Sequence, residues 1–337
     1  MSRTKERRFT ASTLLAAAGL AVVALAMPAG SQEPIKVKIS RLGFPSLTTM
    51  MVDVVKDQGF DRKHGIDLQP QSFGVISAYY AALATGELDM APAGPHVLQK
   101  MRLEGVPIRA ALTYARLNAL AVITADAGVK SIADLKGKSI AADMGSSEYQ
   151  IMAIYGRTQG VVFGKDVTVV QAGPPLARSQ LQAQRVDAAM TWEPSATLTL
   201  RDNPQYRTIF SGDTAWKAIA KADGWQLVLA VREEFLKKSP DAIPRLLRMF
   251  QDGQRFIKSN TDEADRIVVN TVKLPPGVFK EAVTSGRLVY DVLPAWEGER
   301  AVIWDMFKVA VDSGYLPKLP DEAAIYNPDE ARRHDRR

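Results

Sequence analysis

Twice along this chain a strand-like run, a short loop rich in Gly, Pro and Ser, and an amphipathic helix follow one another, and the second series restarts near residue 131. In the first series, residues 35–39 alternate apolar and charged side chains, as a half-buried strand does. The loop Gly43-Phe44-Pro45-Ser46 leads into Leu47, Met51, Val54 and Val55 at helical spacing, and Gly59 ends that helix. Residues 66–71 form a second strand, a helix through residues 79–83 stops at Gly86, and Asp89-Met90-Ala91 opens into the loop Pro92-Ala93-Gly94-Pro95-His96. In the second series, residues 131–138 make a capped helical turn closed by Gly137. Residues 139–142 are a strand, Gly145-Ser146-Ser147 a loop and 148–158 a helix. A strand at 167–170, the loop Gly173-Pro174-Pro175, a helix to Gln184, a strand at 186–190 and the loop Thr191-Trp192-Glu193-Pro194 complete it. Strands alternating with helices at this pitch predict an α/β architecture, each half a mostly parallel sheet flanked by helices.

The halves echo each other. Leu83 lies six residues before Asp89, Leu181 six before Asp187, and each Asp starts a strand that leads to a proline-containing loop. Two similar lobes follow from this weak repeat. Apolar runs at 120–124 and 226–231 would carry the chain across and back, and from Asp241 onward it is helical, with Leu246, Leu247, Phe250, Phe256 and Ile257 facing inward. The expected organisation is lobe one at 35–119, lobe two at 120–225, a return to lobe one at 226–316 and a polar, solvated tail at 317–337.

Charge and cysteine content narrow the function. The net charge of +6 sits at the ends: +3 in the first 31 residues and +3 in the last six, which leaves a neutral body. A body built to track nucleic-acid phosphates is excluded. The 337 residues contain no Cys, which removes disulfides, thiolate metal sites, iron–sulfur ligation and a Cys nucleophile. Three histidines are too few for a multi-histidine metal site, and neither a metal nor a cofactor is expected. No phosphate-binding loop, dinucleotide fingerprint, Gly-x-Ser-x-Gly elbow or His-Glu-x-x-His is present.

The first 31 residues have the order of a cleaved secretory signal: a basic opening, an apolar run from Leu14 to Met27, then small residues. Cleavage can fall after the pair Ala24/Ala26 or after Ala29/Ser31. The apolar run is short for a membrane span, and Pro28-Ala29-Gly30 breaks it. Arg7-Arg8-Phe9 faintly suggests twin-arginine export, but its spacing favours the general secretory route. The mature protein is expected free in a periplasm.

Four stretches carry a resemblance. They are residues 82–91 followed by Gly94-Pro95, residues 132–141 followed by Gly145-Ser146, Val186-Asp187-Ala188-Ala189, and Trp192-Glu193-Pro194. In this order the chain resembles the periplasmic binding proteins of ABC importers for aliphatic sulfonates, taurine and nitrate, which share a fold with binding proteins for thiamine pyrimidine precursors. The resemblance spans residue 35 to about 200, with continuation to about 315. It implies a two-lobed type II periplasmic binding fold, joined by two crossings, that holds a small solute in its cleft. It further implies an ABC permease and its ATPase as partners, no catalytic residue, and a monomer whose cleft is free to close.

In such folds ligands lie beyond the carboxyl ends of strands, where helix N-termini offer unpaired N–H groups to anions. The expected cradle is Gly145, Ser146 and Ser147 with Gly74 and Ser77 opposite. The two serines can instead simply cap their helix. Of Tyr79 and Tyr80, adjacent on one helix, at most one should face the cleft, and Tyr79 is taken as that one. Phe44, with Pro45 and Ser46, either lines the pocket or plugs lobe one. Gly94, Pro95, His96 and Pro174 belong to cleft loops, with His96 a loop hydrogen-bonder or a pH switch. Trp192 either walls the ligand or packs in the core, and Arg116, near Asn118, either meets an anion or makes a surface ion pair. Glu148 suits a helix start, but aimed into the cleft it would repel a bare anion and, with Glu193, favour an amino or amide group. A small anionic or zwitterionic solute, sulfonate- or taurine-like, is the leading expectation. A nitrogen heterocycle is the alternative, ahead of an exported enzyme using Glu148 or Glu193 as base and of a sensor subunit.

Overall fold

The computed structural model describes residues 33–329, so the expected signal at 1–31 and the basic run at 332–337 lie outside the described residues. Ten strands are formed: β1 Ile35–Leu42, β2 Ile66–Phe73, β3 Met90–Ala93, β4 Ile108–Arg116, β5 Leu120–Thr124, β6 Ser139–Ala142, β7 Thr168–Gln171, β8 Ala188–Trp192, β9 Arg207–Ser211 and β10 Trp225–Arg232. They make two five-stranded sheets of one topology, ordered β2-β1-β3-β10-β4 and β7-β6-β8-β5-β9. Within each sheet four strands run the same way and one, β10 or β5, runs against both its neighbours. These reversed strands are the apolar runs read as crossings. Their direction follows from chain length: only the turn Leu117–Ala119 separates β4 from β5. Strand β5 therefore enters the second sheet at the end where its neighbours finish and runs against them.

The repeat in the sequence has a physical basis. The Asp89 carboxylate accepts the Lys38 N–H at 2.8 Å while its own N–H donates to Lys38 O at 3.0 Å. Asp187 does the same with Ser139, at 2.7 Å and 3.1 Å. In both sheets the aspartate locks the start of the third strand onto the first, and Leu83 and Leu181 are buried.

The first sheet is covered by the helix Leu47–Asp57, whose Met50, Met51, Val54 and Val55 are fully buried, and outside it by the helices Ala242–Ser259 and Thr261–Val272. The C-terminal chain then runs along the free edge of β4, where Thr113 N–H donates to Leu293 O and Ala295 N–H to Ala111 O. The expectation of a polar tail from residue 317 needs correction. Ala324, Ile325 and Tyr326 are buried, Ile325 bridges Ala110, and Tyr326 N–H donates to Ala110 O. An open sheet edge offers unpaired backbone groups, and this apolar triplet takes them.

Candidate functional site

A cavity of about 20 Å³, room for about one water, lies at the carboxyl ends of the strands, lined from both sheets. Strand β1 contributes Leu42, the loop after it Ser46, and the first turn of the helix Leu47–Asp57 contributes Leu47 and Thr48. Tyr79 and Tyr80, on the helix Ile76–Thr85, wall one side, and Glu148 and Trp192 come from the second sheet's elements. Ser46 is the N-cap residue of its helix, and its hydroxyl lies 3.4 Å from that of Thr48.

Both tyrosines reach the cavity, against the expectation that one at most would do so. The Tyr79 hydroxyl donates to Pro92 O at the end of β3, and Tyr80 meets the Ser147 hydroxyl at 2.9 Å. Their rings pack edge to face, with centroids 4.8 Å apart. Adjacent helical residues diverge by about 100°. That angle sends Tyr79 inward and Tyr80 to the facing lobe, and the cavity lies between the two directions.

On the second lobe, the helix Ser147–Thr158 presents its N-terminus to the first. The Ser146 hydroxyl accepts the Tyr149 N–H at 3.0 Å, so Ser146 is a helix cap. Gly145 N–H donates to the Asp143 carboxylate and Ser146 N–H to Asp143 O. Ser147 Oγ accepts the Gly94 N–H at 2.8 Å across the cleft. A Cβ on Gly94 would sit 2.5 Å from Ser147 Cβ, so the approach needs glycine here. Donors expected to cradle an anion are thus bonded within the chain.

Glu148 is 5 % exposed, and one of its carboxyl oxygens accepts from Gln226 Nε2 at 2.6 Å. Burial pushes its carboxyl up to about 7; Gln226 and its own N–H pull it down, and Asp143 raises it further. Gln226 is the second residue of β10, so this bond also joins the two lobes. Its own signal was a single amide at the head of an otherwise apolar strand. Ile76, Pro92 and Leu227 complete the cavity wall, and no Lys, Arg or His is among the lining residues.

Other expected residues are not brought to the cavity. Phe44 and Pro45 are half-buried, with Phe44 packed on the core, and Gly74, Ser77 and Gly145 are exposed. Pro95 and Pro174 are buried first residues of the helices Pro95–Leu103 and Pro174–Gln182. His96 turns to the helix Glu299–Asp312, where Nε2 bonds Met306 O at 3.0 Å, and burial lowers its ring to about 4. Arg116 pairs with Asp291 at 2.6 Å and stacks 3.5 Å over the Trp225 ring, which settles it as an ion pair. Glu193 is fully buried, its peptide bond to Pro194 is cis, and its carboxylate faces Thr197 and Arg287. Burial raises it, and those partners oppose the rise. Local sequence could not exclude these residues, because Asp291, Met306 and Arg287 are all distant in the chain. Among the described residues no cluster of His, Asp and Glu could hold a metal ion, and no helix is long and apolar enough to cross a membrane.

A family model described as NMT1/THI5 like matches residues 48–264. A candidate binding protein of Brucella abortus is 23% identical over 244 residues, covering 71% of this chain and 72% of the relative. The taurine-binding periplasmic protein of Escherichia coli is 24% identical over 230 residues, 68% of each chain. Among solved structures, the alkanesulfonate-binding protein SsuA of Xanthomonas axonopodis pv. citri bound to MOPS is similar, with a TM-score of 0.72. It is 17% identical, and the likeness covers 88% of this chain and 99% of that one.

Proposed function

The chain belongs to the NMT1/THI5-like family, and from that premise we propose that it is the periplasmic solute-binding component of an ABC import system. One observation carries this reading: two sheets of identical topology meet over a cavity to which both contribute walls. A solute that touches both lobes favours the closed form over the open one, and the closed form is what a permease can recognise. The protein is a binding protein, not an enzyme, as its named relatives are. It acts as a monomer, with a permease and its ATPase as partners.

The relatives' names support a small anionic or zwitterionic organic solute, sulfonate- or taurine-like. Glu148 within aromatic walls supports a second reading, a nitrogen heterocycle stacked on Tyr79, Tyr80 or Trp192. A thermal-shift panel of taurine, ethanesulfonate, nitrate and a hydroxymethylpyrimidine tests both. A ligand at about a hundred times its Kd adds about 2.7 kcal/mol, a shift of a few degrees at this size. The expected result is a shift with one compound class and recovery of that compound unchanged. Chemical conversion of the bound compound would overturn the reading.

A further inference from the structure

The residues that meet over the cavity are poorly suited to a bare anion. None of the lining residues is cationic, and the arginines that meet at the lobe junction are held by carboxylates: Arg116 by Asp291, with its guanidinium stacked on Trp225, Arg287 by Glu193 and Glu281, and Arg201 by Glu281. The N–H groups of Gly145, Ser146 and Tyr149 are bonded to Asp143 and Ser146. Besides the hydroxyls of Ser46, Thr48, Tyr79 and Tyr80, the one polar lining group is the Glu148 carboxyl, an acceptor when ionised. Glu148 lines the cavity from lobe two, and Gln226 of lobe one stands behind the lining residues and bonds the Glu148 carboxyl. Gln226 is fully buried, and its Oε1 has no hydrogen-bond partner, although an amide of this kind ordinarily satisfies both ends.

We propose that the cleft takes an organic ammonium or amidinium head, whose N–H groups bond the Glu148 carboxylate on one lobe and Gln226 Oε1 on the other, with the Glu148 proton released to solvent on capture. The inference rests on the solute-capture reading and names the end of the solute that this cleft recognises. Because the two acceptors belong to different lobes, a head that bonds both ties the lobes together, which is the differential contact that closure requires. The proton balance is simple: a neutral Glu148 carboxyl loses its proton as the cationic head arrives, and the buried product is a neutral ion pair. A carboxyl that burial has pushed up to about 7 is about half protonated at neutral pH and more so below it, so the release is measurable there.

The groups facing Glu148 leave it as the titrating site. The helix Ile76–Thr85 presents Tyr79 and Tyr80, whose hydroxyls burial and Glu148 hold above their ordinary range. The loop before its own helix presents Asp143. From the packed elements, β8 supplies no ionisable side chain, and β10 supplies Gln226, its Arg232 being bonded to Leu83 O and Ala84 O. In the helix Pro95–Leu103, His96 turns to Met306, and in the helix Gly212–Ala220, Asp213 and Lys217 pair with each other.

Titration calorimetry on the whole protein tests this with amine and amine-less pairs: taurine with ethanesulfonate, γ-aminobutyrate with butyrate, benzamidine with benzoate. At least one amine or amidine should bind at least tenfold tighter than its partner at pH 8. Its affinity should fall towards tenfold per pH unit below neutrality, with about one proton released by comparison of two buffers of different ionisation heat. Glu148→Gln should lose at least tenfold in affinity and most of the pH dependence, and the two-buffer measurement on the unaltered protein decides should that variant not fold. Amine-less probes binding as tightly, without proton release, would overturn the inference and leave solute capture standing. A panel in which no probe of either class binds would overturn both.

Discussion

Glu148 and His96 are both buried in the first turn of a helix, and they titrate in opposite senses. The Glu148 carboxyl, pushed up to about 7 from an ordinary 4.5, keeps its proton in the folded chain after the unfolded chain has lost it. Between those values the folded state binds more protons, so its contribution to stability falls as pH rises. His96, lowered to about 4 from 6.5, stays neutral when folded while the unfolded ring is protonated, so its contribution rises with pH from about 4 to 6.5. The slopes oppose one another below 6.5, and only the fall from Glu148 remains above it. Glu148→Gln should therefore gain stability relative to the unaltered protein as pH goes from 5 to 7.5, by an amount on the order of 3 kcal/mol. Urea unfolding of both at pH 5, 6 and 7.5 measures it, and parallel pH profiles would refute the assignment. At this scale the site was legible only in part. The position of Glu148 just after Gly145-Ser146-Ser147 flagged the cleft, but its protonation depends on burial, which Gln226 from the other lobe only partly offsets and which no local pattern shows. Arg116 and Glu193 stood in cleft-like positions, and the remote Asp291 and Arg287, with Thr197 beside Glu193, turn them elsewhere.

Among the elements, the contact between the helices Leu47–Asp57 and Ala242–Ser259 hinges on Gly253. A Cβ there would lie 2.8 Å from Val55 Cγ2 and 3.0 Å from Met51 Sδ. In an exposed helix, replacing Gly by Ala would stabilise by about 1 kcal/mol. Here the added methyl must push two buried helices apart, which costs about 1–3 kcal/mol. Gly253→Ala should therefore be destabilising by about 1 kcal/mol, read as a lower thermal midpoint, and a higher midpoint would show that the helices yield freely. Strand legibility followed burial. Strands β1 and β2 and the helix Leu47–Asp57 were marked by alternation, helical spacing and a terminal glycine, whereas the short helix Phe60–Lys63 carried no such mark. Strand β4 is covered on both faces, so the run Ile108–Arg116 has no alternation to read. Strand β9 has a single buried residue, Phe210, and so no apolar pattern to stand out, and Thr191-Trp192, read as loop, ends β8. The runs that form β5 and β10 were visible as apolar, but no local pattern says that a connector will insert into the middle of a sheet.

For the whole molecule, closure depends on how near the two lobes can come, and Gly94 sets that limit. Its N–H reaches Ser147 Oγ at 2.8 Å, Tyr80 bonds the same oxygen from the other side, and Gln226 bonds Glu148 one residue on. All three contacts join the loops at one end of the helix Ser147–Thr158, so a single atom placed there disturbs them together. At Gly94 φ is −67° and ψ 148°, a conformation open to any residue, and within lobe one alanine would meet only Gln226 O, at 3.3 Å, a contact relieved by a shift of a few tenths of an ångström. The obstacle is the facing Ser147, whose Cβ and Oγ would lie 2.5 and 2.7 Å from the new methyl. Gly94→Ala therefore acts on the closed form and spares the fold. Its unliganded unfolding midpoint should stay within about 2 °C, while ligand affinity falls between about fivefold and a hundredfold, the equivalent of 1–3 kcal/mol of overpacking. Small-angle scattering with ligand present should show the larger radius of an open cleft. Adding Ser147→Gly removes the clashing atoms and should recover part of the affinity, although the Ser147 hydroxyl is then lost to Gly94 and Tyr80. Full affinity and a compact liganded form in Gly94→Ala alone would mean that the lobes close by another contact, and the Gly94–Ser147 junction would lose its role in capture.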